Sequence, residues 1–447
     1  MLPVLVLIFH ASPAADAGPL ARALAEARRA LAERQRFAFL DAGAGAVEIV
    51  AGPPDGLSFG ERLAAELRAR GIGAGLPAAG PGSGAASGGA GPRSGASGAA
   101  GNPGAAADPD GAADPGAPAD PGAKNGGLIV LGSGSIPLAT PADLRRFVEV
   151  AAGPGGHALA NNRYSADVVA ISRAADLVGL PPLPADNALP RWLEEWAGVA
   201  VTDLGSRWRL GVDIDTPQDL IVLRDPAAAA LLGTAPIFGE RLAALADVMS
   251  NRRAELLVAG RVSAATLTWL QRGVACRVRA LIEERGMRAA SGLAQSDGVG
   301  ATGLEASGVA GPATDGATPR ATPRATPRPP RSILGELLDR DGPEALALAV
   351  SRMADAAVID SRVLMAHRFG PGESSWPAAE DRFASDLLLD TAVTDPWLRS
   401  LTSSAASSAS ATSSAPIILG GHTLVNGGLR LLATRAGLAA RARAGAR

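Results

Sequence analysis

Residues 209–223, Arg-Leu-Gly-Val-Asp-Ile-Asp-Thr-Pro-Gln-Asp-Leu-Ile-Val-Leu, place two carboxylates, Asp213 and Asp215, two positions apart and directly ahead of a Thr-Pro pair. Side chains alternate along a strand, so two acids at this spacing share a face and can together hold a divalent cation such as magnesium. Thr216-Pro217 is also a good helix start, with a hydroxyl to accept first-turn amides and a proline whose missing N–H costs nothing there. Capping explains those residue types without any metal, so both readings stand at this point.

Two further stretches are rich in hydrogen-bonding groups. Asn161-Asn162-Arg163-Tyr164-Ser165-Ala166-Asp167 lies between two strand-like segments. Asn161, Asn162 and Ser165 suit a base or sugar, and Arg163 suits an acidic group. The same residue types also make an ordinary polar hairpin turn. In Asp186-Asn187-Ala188-Leu189-Pro190-Arg191, the residues Asp186, Asn187 and Arg191 are candidate substrate contacts, although Asp186 would equally cap a helix over 192–196.

The 209–223 segment resembles the Asp-x-Asp-Thr-Pro-x-Asp-Leu ending of the molybdopterin-type (GT-A-like) nucleotidyltransferases, and particularly of the 2-phospho-L-lactate guanylyltransferases of deazaflavin-coenzyme biosynthesis. Residues 129–144, Ile-Val-Leu-Gly-Ser-Gly-Ser-Ile-Pro-Leu-Ala-Thr-Pro-Ala-Asp-Leu, have the rhythm of that family's central strand, turn and helix. The resemblance implies a nucleotide or phosphorylated metabolite as ligand and magnesium as cofactor, held with the help of Asp213 or Asp215. Turnover would be nucleotidyl transfer.

Two departures weigh against that reaction. The family's first strand runs into a Gly-rich loop with Arg and Lys, whose amides cradle phosphates and whose cations neutralise developing charge. Here the strand runs into His10-Ala11-Ser12-Pro13-Ala14-Ala15-Asp16, and Ser135 stands where the family has a metal-binding Asp. An arginine from elsewhere, Arg362 or Arg382 for instance, would have to supply the lost positive charge. The competing expectation is a non-catalytic binding or scaffold protein that keeps the fold.

The elements that must position these groups alternate. Strand-like segments at 2–9, 46–51, 127–131, 157–160, 167–171, 199–202 and 207–210 are interleaved with helical ones at 18–36, 58–70 and from 140. Ser58 with Glu61 forms a capping-box pattern, and Thr140-Pro141 opens the next helix. This predicts an α/β domain over 1–225, a mostly parallel sheet with helices on both faces. Residues 226–447 read as a mainly helical region, with helical stretches at 239–249, 254–258, 263–285 and 343–357 and one late strand at 416–419. Gly/Ala/Pro/Ser-rich tracts at 74–125, 289–331 and 403–415 read as a disordered insertion and linkers.

Composition narrows the function. The 447-residue chain has net charge −2, one lysine (Lys124) and no long basic run, which argues against nucleic acid as a partner. One cysteine, Cys276, rules out an intramolecular disulfide and fits a cytoplasmic protein. The apolar start at 2–9 lacks a preceding basic residue and reads as a buried first strand rather than a signal peptide, and no apolar run is long enough to span a membrane. Carboxylates and arginines of the second region (Glu283, Glu284, Asp360, Arg362, Glu380, Asp381, Arg382 and Asp386) read as salt-bridged surface, and His422 as an isolated titratable group. No zinc-hydrolase, serine-esterase or P-loop motif is present.

Overall fold

The computed structural model describes residues 3–52, 56–72, 126–183, 186–284, 331–407 and 415–434. The predicted insertion at 74–125, most of the linker at 289–331 and residues 408–414 of the third linker lie outside them. The chain is α/β, built on two sheets. The first contains β1 (Val4–Ala11), β2 (Ala46–Gly52), β3 (Gly127–Gly132), β4 (His157–Ala160), β5 (Val168–Ile171) and β6 (Ala200–Asp203), in the order β2-β1-β3-β5-β4-β6. Only β5 runs antiparallel to its neighbours, β3 and β4.

Both faces of this sheet are covered, as the uninterrupted apolar runs of its central strands β3 and β5 require. In β3 the alternation is direct. Leu128 and Val130 point to the face packed by Leu63 and Leu67 of α2 (Phe59–Ala69) and by Trp192 and Leu193 of α4 (Leu189–Glu195). Ile129 and Leu131 point to the other, against Phe39 of α1 (Pro19–Asp41) and Phe147 of α3 (Pro141–Ala151). The expected helix starts form as capping boxes, Ser58 with Glu61 and Thr140 with Asp143.

The second region is mostly helix but is organised around a sheet that the sequence reading reduced to its last strand. β7 (Glu255–Gly260), β8 (Arg277–Ile282), β9 (Ala356–Asp360) and β10 (Ile417–Gly420) are all parallel, in the order β10-β9-β7-β8. The stretches at 254–258, 263–285 and 343–357 are therefore corrected: they contain β7, β8 and the start of β9. The buried β7 and β9 are mostly apolar runs, which periodicity alone does not distinguish from helix, and β8, an exposed edge strand with Arg277 and Arg279, follows closely on a helix. Likewise 207–210 is not a strand but enters a 3₁₀ turn over Trp208–Gly211, and the third linker starts late, because residues 403–407 end a helix, Pro396–Ser407.

The two regions share one core. Leu24, Ala27 and Leu31 of α1, and Leu220, Ile221 and Val222 of α5 (Pro217–Leu223), belong to the same buried cluster as Leu256, Val258, Ile359 and Leu419 of the second sheet. The far half of α1 packs on the first sheet through Ala32 and Phe39. Among the described residues no single helix is long and apolar enough to cross a membrane.

Candidate ligand-binding cleft

In a parallel sheet ligands bind outside the carboxyl ends of the strands, at the point where successive connections run to opposite sides. The first sheet has such a point between β1 and β3. The second has one between β7 and β9, since β8 lies on one side of β7 and β9 with β10 on the other. Both open into one cleft of about 800 Å³, a size typical of small-molecule sites. The first region contributes Ala11 at the end of β1, the stretch Gly132-Ser133-Gly134-Ser135 from the last residue of β3 into the turn, and the acids Asp167, Asp186, Asp213 and Asp215. The second contributes Arg261 after β7, Glu283 and Glu284 after β8, and His422 after β10.

The β3 turn is held tightly. Ser133 Oγ bonds Nδ1 of buried His10 at 3.0 Å, and Gln35 Nε2 donates to the Ser135 carbonyl at 2.6 Å. Burial, with Arg29 and Arg28 nearby, lowers the His10 pKa, so this imidazole is neutral near pH 7 and accepts or donates a single proton. Ile136, buried and β-branched, sits at φ 44°. That region is costly for such a side chain and is tolerated where the surroundings dictate the backbone.

Asp213 and Asp215 are not on a strand; they lie in an extended loop between the Trp208–Gly211 turn and α5. The loop is pinned to the β3 turn by the Ile214 amide, 2.8 Å from the Gly134 carbonyl. The helix-start reading of Thr216-Pro217 holds: the Asp219 carboxylate reaches back to the Thr216 amide at 2.8 Å and hydroxyl at 3.0 Å. The two acids diverge. Asp215 is largely exposed and pairs with Arg28 at 3.0 Å, whereas the Asp213 carboxylate accepts from the Thr423 hydroxyl. Each already has a partner, and among the described residues no three His, Cys, Asp or Glu side chains converge as a metal site needs. The magnesium expected from the resemblance does not fit this pair as it is arranged.

The acids nonetheless form an electrostatic group. Burial, then the charge of Asp186, raises Asp167 to about 8 against the hydrogen bond from Asn161. Burial and the charge of Asp215 raise Asp186 to about 6 and Asp219 to about 7. Asp213 stands well above the usual carboxylate range for the same reasons, with Asp167 adding to the repulsion. Near neutral pH this wall therefore carries protons, and it presents both donors and acceptors to a bound molecule.

Of the other predicted contacts, Asn162, Ser165, Asp186 and Asn187 line the cleft. Asn161 does not: it is buried, and its amide closes the β4–β5 hairpin onto Asp167 and the Leu210 carbonyl, at 2.8 and 2.7 Å. Arg163 is taken by Glu194, and Arg191 by Glu195 on its own helix at 3.1 Å. Asp186 bonds the Asn187 amide and does not cap α4. Neither Arg362 nor Arg382 lines the cleft. Arg362 is buried against Asp386, and Arg382 pairs with Glu373 at 2.8 Å. Asp360 and Asp386 are likewise buried rather than on a salt-bridged surface.

The sequence reading missed Arg28, Arg261, Thr423 and Asn426. Arg261 donates to Asp360 through Nε at 2.6 Å and Nη2 at 3.2 Å. Thr423 reaches Asp213, and buried Asn426 joins the β7 and β10 loops. The available signal was the run Gly420-Gly421-His422-Thr423 directly after a predicted strand.

At the start of α1, where the resemblance places a phosphate loop, the Glu380 carboxylate accepts from the Leu20 and Ala21 amides at 2.9 and 3.1 Å. No family model, no curated protein and no solved structure matches this chain.

Proposed function

We propose that this protein binds a nucleotide or phosphorylated metabolite in the shared cleft and does not carry out nucleotidyl transfer. The observation that carries this reading is the meeting of two switch points, one from each sheet, at a single cleft lined by polar side chains. The partly protonated acids Asp167, Asp186 and Asp213 suit the hydroxyl and amine groups of a sugar or base.

Three features support binding without transfer. Anion-binding amides at the start of α1 are engaged by Glu380. Ser135 replaces the carboxylate expected from the resemblance, and Asp213 and Asp215 are committed to Thr423 and Arg28. Positioned charge is the main lever on a phosphoryl-transfer barrier, and each lost part is worth about 3 kcal/mol or more. Loss of two removes roughly four decades of rate.

The test is thermal unfolding of the full chain with a panel of nucleoside triphosphates and phosphorylated small acids, each in magnesium and in EDTA. A ligand at a hundred times its Kd adds about 2.7 kcal/mol of stability. Stabilisation by a phosphorylated compound that survives EDTA is expected; no stabilisation by any of them would remove the reading.

A further inference from the structure

The second sheet ends at β8, and among the described residues no strand pairs with the outer side of that strand. In a parallel pair, alternate residues turn both backbone groups to the same neighbour. The Arg277 amide donates to the Ala254 carbonyl and the Glu283 amide to the Gly260 carbonyl, each at 2.9 Å. Residues 277, 279, 281 and 283 therefore face β7, and Val278, Ala280 and Ile282 present their N–H and C=O groups outward. A free edge of this kind is a template for another strand.

The outward set is self-complementary. Two copies of β8 laid antiparallel about a two-fold axis at Ala280 set Ala280 opposite Ala280 of the second copy, and Val278 opposite Ile282. Each such pair exchanges both of its backbone bonds. The side chains share one face of the joined sheet, where Ile282, 54% exposed in the single chain, gains apolar cover. Ile333, whose amide Glu283 holds, is 68% exposed next to the same strand end. Two large aliphatic side chains exposed together beside an unpaired edge mark an association site rather than scattered surface.

On the opposite face the same register is sorted by charge. Arg277 falls opposite Glu283 of the second copy, and the two-fold axis repeats the contact. Arg277 is exposed, and no acid among the described residues pairs with it. Glu283 accepts only from neutral donors, the Ser332 hydroxyl at 2.6 Å and the Ile333 amide at 2.7 Å, so its charge is not offset and its carboxylate has room for a further donor. Arg279 falls opposite Leu281 and is already turned to Glu255 of β7 at 2.9 Å.

Charged residues on an edge strand usually ward off pairing, but in this register they attract. Neighbouring registers are poorer. Moving the axis back to Arg279 sets that arginine against its own copy, and moving it forward to Leu281 sets Val278 opposite Glu284.

We propose that two copies of this chain associate through β8, edge to edge and antiparallel about Ala280, so that their second sheets become one continuous sheet. Ile282, Glu283 and Glu284 also line the cleft, which sets the second copy's Val278 beside its mouth. The association stands independently of what the cleft binds.

Sedimentation equilibrium of the full chain over a wide range of loading concentrations tests it. The parent protein is a dimer in equilibrium with monomer. Ala280→Pro is monomeric and keeps the parent's far-UV spectrum, because proline removes only an outward N–H from an edge strand. Arg277→Glu changes an exposed side chain and sets like charges opposite each other at both ends of the interface, which weakens the dimer by about tenfold or more. Arg340→Glu makes the same charge change at an exposed arginine elsewhere and leaves the dimer at parent affinity. A parent that is monomeric at every concentration, or parent affinity in either β8 variant, overturns the proposal.

Discussion

The Thr423 hydroxyl donates to the Asp213 carboxylate across 210 residues of sequence, and lies 3.4 Å from the Asp213 amide as its acceptor. One threonine from the second sheet thus orients the central acid of the first. Hydrogen bonds to charged groups contribute about 1.5–3 kcal/mol. Where Asp213 is ionised, Thr423→Val should therefore destabilise the protein by about 1.5 kcal/mol, towards the lower end because Asp213 is only half-buried. The loss should be larger at pH 9 than at pH 5, since the bond favours the ionised acid. Urea unfolding at both pH values checks this; equal midpoints for Val and Thr would mean the contact contributes nothing.

The acid wall makes stability depend on pH in a definite direction. Asp167, raised to about 8, holds a proton in the folded state that the unfolded chain releases near its ordinary value. Its contribution is complete below pH 4 and is lost as pH rises towards 8. Asp167→Asn should remove that loss: similar midpoints at pH 4, and a more stable variant at pH 8. A variant no more stable than the parent at pH 8 would show that Asp167 ionises freely.

Cutting the chain after residue 225 separates residues that share a core. Leu24, Leu31 and the apolar face of α5 would lose their partners in the second sheet, and exposing large apolar side chains costs about 1.5–3 kcal/mol each. The fragment 1–225 is expected to lack a cooperative unfolding transition and to aggregate. A sharp transition in the isolated fragment would show two independent domains.

Much of this was legible in the sequence, for identifiable reasons. Local signals survived: the capping boxes at Ser58 and Thr140, the Thr216-Pro217 helix start, and strands whose apolar runs are bounded by turn residues. The second sheet was not legible, because β7 and β9 are short, apolar apart from Glu255 and Asp360 at their ends, and flanked by helix-compatible sequence. The site divided in the same way. Asp213, Asp215, Ser165 and Asp186 were found because they cluster in sequence near the first sheet's strand ends. Thr423 meets Asp213 only through folding, across 210 residues, and Asn426 meets Ser263 and Arg261 across 163 and 165. Asn161 misled because the amide that could read a ligand instead satisfies a buried hairpin.

The central claim is binding without turnover, and a single-injection calorimetric experiment addresses both halves. A common nucleoside triphosphate is injected into the full chain with magnesium present, and the heat flow is followed to completion. The account predicts a binding pulse that returns to baseline, because the charge-positioning parts of transfer are missing. Sustained heat above the protein-free blank would be turnover and would contradict it, as would the absence of any binding pulse when each common nucleoside triphosphate is injected in turn.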